Sequence, residues 1–241
     1  MPPAKTKFQG GAAKDEMKMT FKGVYSVFQK ASSKPAKRGR KSPGQSLVEV
    51  AIAFPILIML FAGVVEFGFI LNFYLSLLDA TRDSARRYST GDPFDATLFS
   101  PTYGADTFYH DAAFQVQRIL DPTIDKPTYR GRRIVLIPSR DDVIVTVYGA
   151  KDNTVILWRA GGPYHLFPTA GSAGNYSSIF TAQNILDTRV ADAPNAGVLL
   201  VEVHYNYRHV LNLPWMTAWL PNPLHLQAYT IMPIRAGEPD P

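Results

Sequence analysis

The chain is organised around one stretch, Lys37-Arg38-Gly39-Arg40-Lys41-Ser42-Pro43-Gly44-Gln45-Ser46-Leu47-Val48-Glu49, and the apolar run behind it. Sixteen residues without a charge follow, from Val50 to Val65, and with their flanks they are long enough to cross a bilayer. A single carboxylate, Glu49, stands at the start of this run. Because a charged side chain at the centre of a membrane helix costs at least ~2.5–3.5 kcal/mol, the position of Glu49 needs an explanation.

The residues before the apolar run are strongly basic. Residues 1–44 contain 11 Lys and Arg against 2 Asp and Glu, whereas residues 45–241 contain 14 against 18. Clustered basic residues are also typical of nucleic-acid binding. Here they lie directly before a membrane-length run, so the positive-inside rule explains them and predicts a cytoplasmic N terminus and an exported C-terminal part. We therefore expect membrane lipid, and no nucleic acid, as a partner. Within this leader, Met17–Phe28 is either a basic helix on anionic lipid or part of a disordered tail.

One long helix is predicted from Gln45 to Thr90, about 69 Å at ~1.5 Å per residue. About the first 20–25 residues are enough to cross the hydrocarbon core. Pro55 lies inside the helix and predicts a kink, because proline lacks the backbone donor and clashes with the preceding turn. From Ile70 onward, residues suited to packing on a sheet recur at spacings of four and three. They are Tyr74, Leu78, Thr81, Ala85 and Tyr88.

The rest of the chain carries strand patterns with short helices between them. Helices are predicted over residues 106–120 and 176–187, and β-branched or alternating runs predict strands at 133–137, 143–148, 155–158, 197–208 and 224–234. The fold class is therefore α+β, a long N-terminal helix followed by an antiparallel β-sheet domain. Three parts are expected: a basic leader over 1–44, the helix over 45–90 and an extracytoplasmic domain over 91–241.

The sequence contains no pattern typical of catalysis. The absence of Cys excludes disulfides, thiolate zinc sites, a cysteine nucleophile and a lipoprotein anchor. No H-E-x-x-H, G-x-S-x-G, Walker A or G-x-G-x-x-G motif occurs. Glu202 and His204 share a strand face and are a candidate pair of metal ligands, but no third ligand is visible, so a solvated strand face is the expected role. We expect no catalytic residues, no metal and no cofactor.

The stretch Gly44-Gln45-Ser46-Leu47-Val48-Glu49 resembles the cleavage site of type IV prepilin-like proteins. The continuation over Ala51–Ile58, Val65–Gly68 and Ala80–Arg87 is similar to the TadE-like minor pseudopilins of bacterial tight-adherence (Tad/Flp) pilus systems. One position departs from the pattern, since the sixth mature residue is often aromatic in these proteins and is Val50 here.

The resemblance implies a pilin-like fold and cleavage between Gly44 and Gln45 by a prepilin peptidase. Glu49 would then neutralise the new amine of Gln45, in its own chain or in a neighbour, and this pairing would make both charges tolerable in the membrane. The implied partners are the major Flp-type pilin, other minor pseudopilins and the inner-membrane assembly platform. The protein would be a single-pass protein of the bacterial inner membrane that enters, primes or caps an adhesion pilus.

Three further residues are candidates for partner contacts. Glu66, nearly a full membrane span after Glu49, is expected either to dock on a partner helix or to reach water by snorkelling. Trp215 and Trp219 lie in a loop bracketed by prolines and are expected either to contact a partner or to pack over one edge of the sheet.

Two other functions remain open at this point. The first is an uncleaved single-pass protein whose outer domain binds a ligand or a surface, and a mature N terminus at Met1 would favour it. The second is a membrane-tethered enzyme such as a hydrolase. A deep pocket around Glu202 and His204 would favour that function.

Overall fold

The computed structural model describes residues 43–151, 154–168, 174–189 and 195–238. The alternatives for Met17–Phe28, a lipid-bound helix or a disordered tail, concern residues outside these ranges. The chain divides into two units, residues 1–55 and 56–241. The predicted boundaries after residues 44 and 90 stay predictions.

The predicted long helix is present as α1, Pro43–Tyr88. The apolar run over residues 50–65 and the apolar stripe after it favour helix along most of this length, and the only Pro inside α1 is Pro55. The kink predicted at Pro55 stays a prediction. Three shorter α-helices follow in the described part of the chain: α2, Thr107–Leu120; α3, Ala182–Arg189; and α4, Pro214–Thr217.

The described strands form one antiparallel sheet, so the predicted α+β class is confirmed. The strands are β1, Asp142–Lys151; β2, Thr154–Leu157; β3, Tyr164–His165; β4, Asn195–Tyr207; and β5, Leu224–Pro233. The order is β2-β1-β4-β5, and β3 pairs with β1 on the same edge as β2. The two central strands, β1 and β4, are buried over most of their length, whereas β5 is mostly half-buried or exposed, so the central strands carry most of the core.

Two predicted elements differ from the structure. Residues 133–137 are not a strand: Ile134 and Leu136 are buried without sheet partners, so burial alone produced the apolar alternation there. The helix predicted over 176–187 begins only at Ala182, because residues 174–181 run as an irregular segment across the sheet.

The sheet is covered on both faces. One face, with Val145 and Val201 at its centre, packs against α1 and α2 in the main core. The opposite face packs against Phe180 and the first turn of α3. The solvated strand face predicted for β4 is therefore wrong, because that side is buried beneath residues 174–185.

The helix α1 is tied to this domain by specific contacts. Its Thr81 hydroxyl lies 3.0 Å from the hydroxyl of Thr230 on β5, and Ser84 Oγ donates to the Ala112 carbonyl of α2 at 2.6 Å. The predicted packing stripe is only partly correct. Thr81 and Ala85 are buried but Tyr74 is exposed, whereas Leu77 and Ala80 are fully buried without having been predicted.

Gly197 on β4 allows the last part of the chain to cross close over the sheet. A Cβ atom there would overlap the Ile234 carbonyl oxygen and would lie 2.6 Å from the Gly237 carbonyl carbon. We expect Gly197→Ala to lower the free energy of unfolding by about 2 kcal/mol or more, because backbone atoms must move to admit the methyl group. Urea unfolding in detergent micelles measures this change.

The matched control is Gly68→Ala on α1, where an added Cβ meets nothing within 4 Å. This variant is expected to be as stable as the parent or slightly more stable, since Ala favours a helix over Gly. Equal urea midpoints for the two variants would contradict the close approach at Gly197.

Candidate functional site

The most unusual polar side chain of α1 is Glu66, which follows the charge-free run directly. Its side chain is 1% exposed. The residues around it come from the end of β4 and the loop after it, so the carboxylate lies inside the chain. The buried carboxylate does not reach water, so the predicted snorkelling of Glu66 is wrong, whereas docking of Glu66 on a partner helix stays a prediction.

Four groups donate hydrogen bonds to this carboxylate. The Tyr207 hydroxyl donates to Oε1 at 2.6 Å, and the Val210 backbone N–H donates to the same oxygen at 3.0 Å. The Leu211 backbone N–H donates to Oε2 at 3.0 Å, and His209 Nδ1 lies 3.1 Å from Oε1. A carboxylate is the side chain that accepts from all of these groups at once. We call these five residues the Glu66 site.

His209 links the Glu66 carboxylate to the loop that follows β4. Its side chain is fully buried, and its Nε2 lies 3.0 Å from the Pro221 carbonyl oxygen. Its two ring nitrogens therefore face two oxygens, Glu66 Oε1 and the Pro221 carbonyl oxygen. Burial, followed by the hydrogen bond to Glu66, raises the pKa of the Tyr207 phenol, so Tyr207 keeps the proton that it donates.

Local sequence explains how the Glu66 site forms. Alternation along β4 places Tyr207 on the face that meets α1. The centroids of the Tyr207 and Phe73 rings are 4.9 Å apart there. On α1, Glu66 begins a stripe with Ile70, Phe73 and Leu77 at spacings of four, three and four. This spacing is the signal that sequence reasoning missed: it places Glu66 on the face of the helix that packs against the sheet.

The two predicted tryptophans lie next to the Glu66 site. The segment Val210–Pro223, which we call the Trp loop, lies along α1, and α4 lies within it. Trp215 is half-buried, whereas Trp219 is 88% exposed. A groove of about 180 Å³ separates the loop from the helix. It is lined by Gly63, Glu66, Phe67 and Ile70 of α1 and by Trp215, Met216, Trp219 and Leu220 of the loop.

The predicted processing residues lie at the start of α1. Gly44 is exposed, and a Cβ atom there would meet nothing within 4 Å. Glu49 is on the exposed surface of the helix. Gln45 lies within the helical backbone one turn earlier. Cleavage between Gly44 and Gln45, and pairing of Glu49 with an amine, stay predictions.

A second polar cluster lies on the opposite face of the sheet. Glu202 and His204 of β4 are 0% and 2% exposed, beneath residues 174–180. Glu202 Oε1 accepts a hydrogen bond from the Ile179 N–H at 3.1 Å, and the Tyr176 ring stacks on His204 at 4.7 Å. Burial raises the pKa of Glu202 to about 7 and lowers that of His204 to about 4. Both groups are therefore more easily neutral than in water.

Other side chains extend this cluster. His204 Nδ1 lies 3.2 Å from His225 Nε2, and His165 Nδ1 lies 2.7 Å from Asp142 Oδ2. Across residues 43–151, 154–168, 174–189 and 195–238, no three His, Asp or Glu side chains are grouped as metal ligands. The cluster acts in the fold as a hydrogen-bonded support for the segment above it.

The geometry of α1 fits a membrane protein with an α+β domain. Among the described residues, one helix is long and apolar enough to span a membrane, and only 6% of its most apolar part is buried within the chain. The side chains of Leu57, Leu60 and Phe61 are between 63% and 71% exposed, which is typical of a lipid-facing surface and costly in water.

Residues 44–86 match the model of the TadE-like protein family, so the resemblance seen in the sequence is confirmed over this segment. The match and the apolar helix together support a membrane protein related to the Tad pilus system. No curated protein and no solved structure matches the chain.

We predict that Glu66→Ala lowers the free energy of unfolding by about 3 kcal/mol, because it leaves buried N–H and O–H donors without an acceptor. Glu66→Gln should have an intermediate effect, since its amide turns a donor toward other donors. Asp83→Ala, which removes an exposed carboxylate from the same helix, is the control. Urea unfolding in micelles and proteolysis of the Trp loop measure the effects. Equal stability of all three variants would contradict the role of the Glu66 site.

A second prediction concerns pH. The unfolded chain releases the Glu202 proton near pH 4.5, whereas the native state keeps it to about pH 7. The native state binds more protons in this window, so this group lowers stability as the pH rises from 4.5 to 7. Glu202→Gln cannot ionise and still accepts from Ile179. We expect it to be about 3 kcal/mol more stable than the parent at pH 8, and close to it at pH 4.5.

Urea unfolding of both proteins at pH 4.5 and pH 8 tests this expectation. The contribution of His204 changes with pH in both proteins and therefore cancels in the difference. Glu238→Gln, which alters an exposed carboxylate, is the control. A stability difference that does not grow with pH would show that Glu202 ionises normally in the fold.

Proposed function

We propose that this protein is a minor pseudopilin that takes part in assembling a Tad/Flp-type pilus. The observation that carries the proposal is the coincidence, within residues 44–86, of the TadE-like match, the membrane-length helix and a Glu five residues after Gly44. A prepilin peptidase cuts between Gly44 and Gln45. The domain after the helix is extracytoplasmic and not an enzyme, and the chemistry of the system belongs to its partners.

The chain sits in the bacterial inner membrane with its N terminus in the cytoplasm. The basic charge of residues 1–44 supports this orientation, because such flanks stay on the cytoplasmic side. Its partners are the prepilin peptidase, the major Flp-type pilin, other minor pseudopilins and the assembly platform. These contacts are made by the N-terminal helix and place the protein in an adhesion apparatus.

Glu49 has a defined role in this proposal. Cleavage gives Gln45 a positive amine at the edge of the hydrocarbon, where an isolated charge carries a desolvation penalty of several kcal/mol. The Glu49 carboxylate, one helical turn further on, neutralises an amine of its own chain or of a neighbouring subunit. The pairing lowers the cost of both charges and favours the register in which subunits meet.

The test is the mass of the N terminus of the membrane-extracted protein, together with pilus formation. We expect the parent to begin at Gln45 and Gly44→Ala to keep its leader and lose piliation. Glu49→Ala should be cut but should fail to support pili. Gly68→Ala is the matched control because, as at Gly44, its methyl group enters open space, so a defect confined to Gly44→Ala reflects processing and not folding.

The result that would overturn the proposal is equally definite. A native chain that begins at Met1 and still supports pili would indicate an uncleaved anchor with an outer binding domain. Normal piliation by both variants would remove the roles given to Gly44 and Glu49.

A further inference from the structure

The Trp loop is the part of the domain that lies beside the C-terminal end of the membrane-length run. Its fourteen residues, Val210–Pro223, contain no charged side chain. The loop contacts α1 from Gly63 to Ile70 and forms one wall of the groove described above. The position of the loop along the axis of α1 is fixed, because the backbone N–H groups of Val210 and Leu211 donate hydrogen bonds to Glu66.

The part of the Trp loop around Trp219 is apolar and exposed, whereas Asn212 and Asn222 are exposed polar residues of the same loop. Trp219 is 88% exposed, Val210 52% and Leu220 40%. On the adjoining part of α1, Val64 and Phe67 are 71% and 64% exposed. The loop and the helix therefore present one continuous apolar surface. This surface continues toward the N terminus of α1 along the exposed side chains of Leu57 to Phe61.

The depth of this surface follows from the helix geometry. From Ser46 to Val65, twenty residues at ~1.5 Å each extend about 30 Å, the thickness of the hydrocarbon core. A helix that starts to cross at Ser46 thus leaves the hydrocarbon near Glu66. The loop also supplies two of the donors to the Glu66 carboxylate, the Val210 and Leu211 N–H groups, and these help to keep this charge away from lipid.

We infer that the Trp loop is a second membrane contact, with Trp219 and Leu220 in the interfacial layer of the leaflet where α1 leaves the bilayer. The occupant of the exposed surface is lipid, at the boundary of headgroups and acyl chains. Three observations favour lipid: continuity with the membrane helix, the absence of charge over Val210–Pro223, and a Trp, which is enriched at this depth in membrane proteins. The inference rests on the membrane topology of the proposed function.

The contact would have a mechanical consequence. A domain held by one helix can tilt against the membrane, whereas a second contact beside the helix limits that motion. The Glu66 site joins the two contacts rigidly, since its hydrogen bonds connect α1 to the start of the loop. The sheet is then presented at a defined orientation to whatever assembles with it.

The experiment uses the full chain in vesicles of phosphatidylcholine and phosphatidylglycerol. The chain has three Trp, so Trp158→Phe/Trp215→Phe leaves only Trp219, and Trp215→Phe/Trp219→Phe leaves only Trp158. Trp158 is the internal control because it packs on Phe94 and donates to the Gly237 carbonyl, away from the loop. Fluorescence is quenched by lipids with a spin label near the headgroup, by lipids labelled deep in the acyl chain, or by aqueous acrylamide.

We expect Trp219 to lose most of its emission to the shallow lipid label and less to the deep label, and to be protected from acrylamide. Trp158 should not respond to either lipid. Quenching of Trp219 by acrylamide alone would place the loop in water and overturn the inference. Protection of Trp219 from both kinds of quencher would also overturn it, because a protein partner or a second copy would then cover the loop.

A second labelling scheme keeps Trp219 itself in place. Because the chain has no Cys, Ala218→Cys and Ser139→Cys each introduce one exposed site for a spin label. The spin label at position 218 should be more accessible to oxygen, which partitions into lipid, than to a water-soluble nickel chelate. The spin label at position 139 should be accessible to both. The reverse at 218 would overturn the inference without relying on fluorescence.

Vesicle flotation after carbonate extraction separates the two levels of the proposal. A chain that does not float with the vesicles lacks the membrane anchor, which removes both the topology and the loop contact. A chain that floats while Trp219 stays in water retains the proposed topology and loses only the contact made by the loop.

Discussion

The tertiary structure depends on the hydrogen bonds that the buried Glu66 carboxylate of α1 accepts. In hydrocarbon or in a dry core an ionised carboxylate is costly, and hydrogen bonds from several donors offset that cost. Here the donors all come from residues 207–211, so stabilising the charge also fixes where the end of β4 meets the helix. A polar group that would weaken an ordinary membrane helix becomes the point at which the domain is attached.

The two faces of the sheet use polar residues differently. On the face toward α1, the hydroxyls of Thr81 and Thr230 and the carboxylate of Glu66 connect the elements through satisfied hydrogen bonds. On the other face, Glu202 and His204 are buried with one polar atom each, Oε2 and Nε2, that has no hydrogen-bond partner among the described residues. Such burial favours the neutral forms of both groups. That face therefore gains less from its polar residues and depends on the packing of Phe180 and Ile185.

Much of the architecture could be predicted because its signals are local. The apolar run and its length predict α1, and the alternation of apolar and polar residues predicts β4 and β5, whose bounds agree with the structure to within about two residues. The interpretation of β4 failed on one face. Alternation of Val with Glu and His is typical of a strand with one solvent-exposed face. The sequence does not indicate that residues 174–185 cover that face of β4. The segment 133–137 failed for the opposite reason, since buried residues alternate there without strand partners.

By itself the sequence determined the membrane-length helix, the basic N-terminal flank, the α+β class and the TadE-like segment, because length, charge and periodicity act between residues close together in the chain. Only the tertiary structure decided the environment of Glu66, the burial of Glu202 and the place of the Trp loop. Each of these depends on residues more than a hundred positions apart, as with Glu66 and Tyr207, or on a segment that crosses the sheet from elsewhere in the chain. The physical reason is that burial and long-range hydrogen bonds depend on which segments pack together in the folded chain. Local sequence patterns do not indicate which distant segments will pack together.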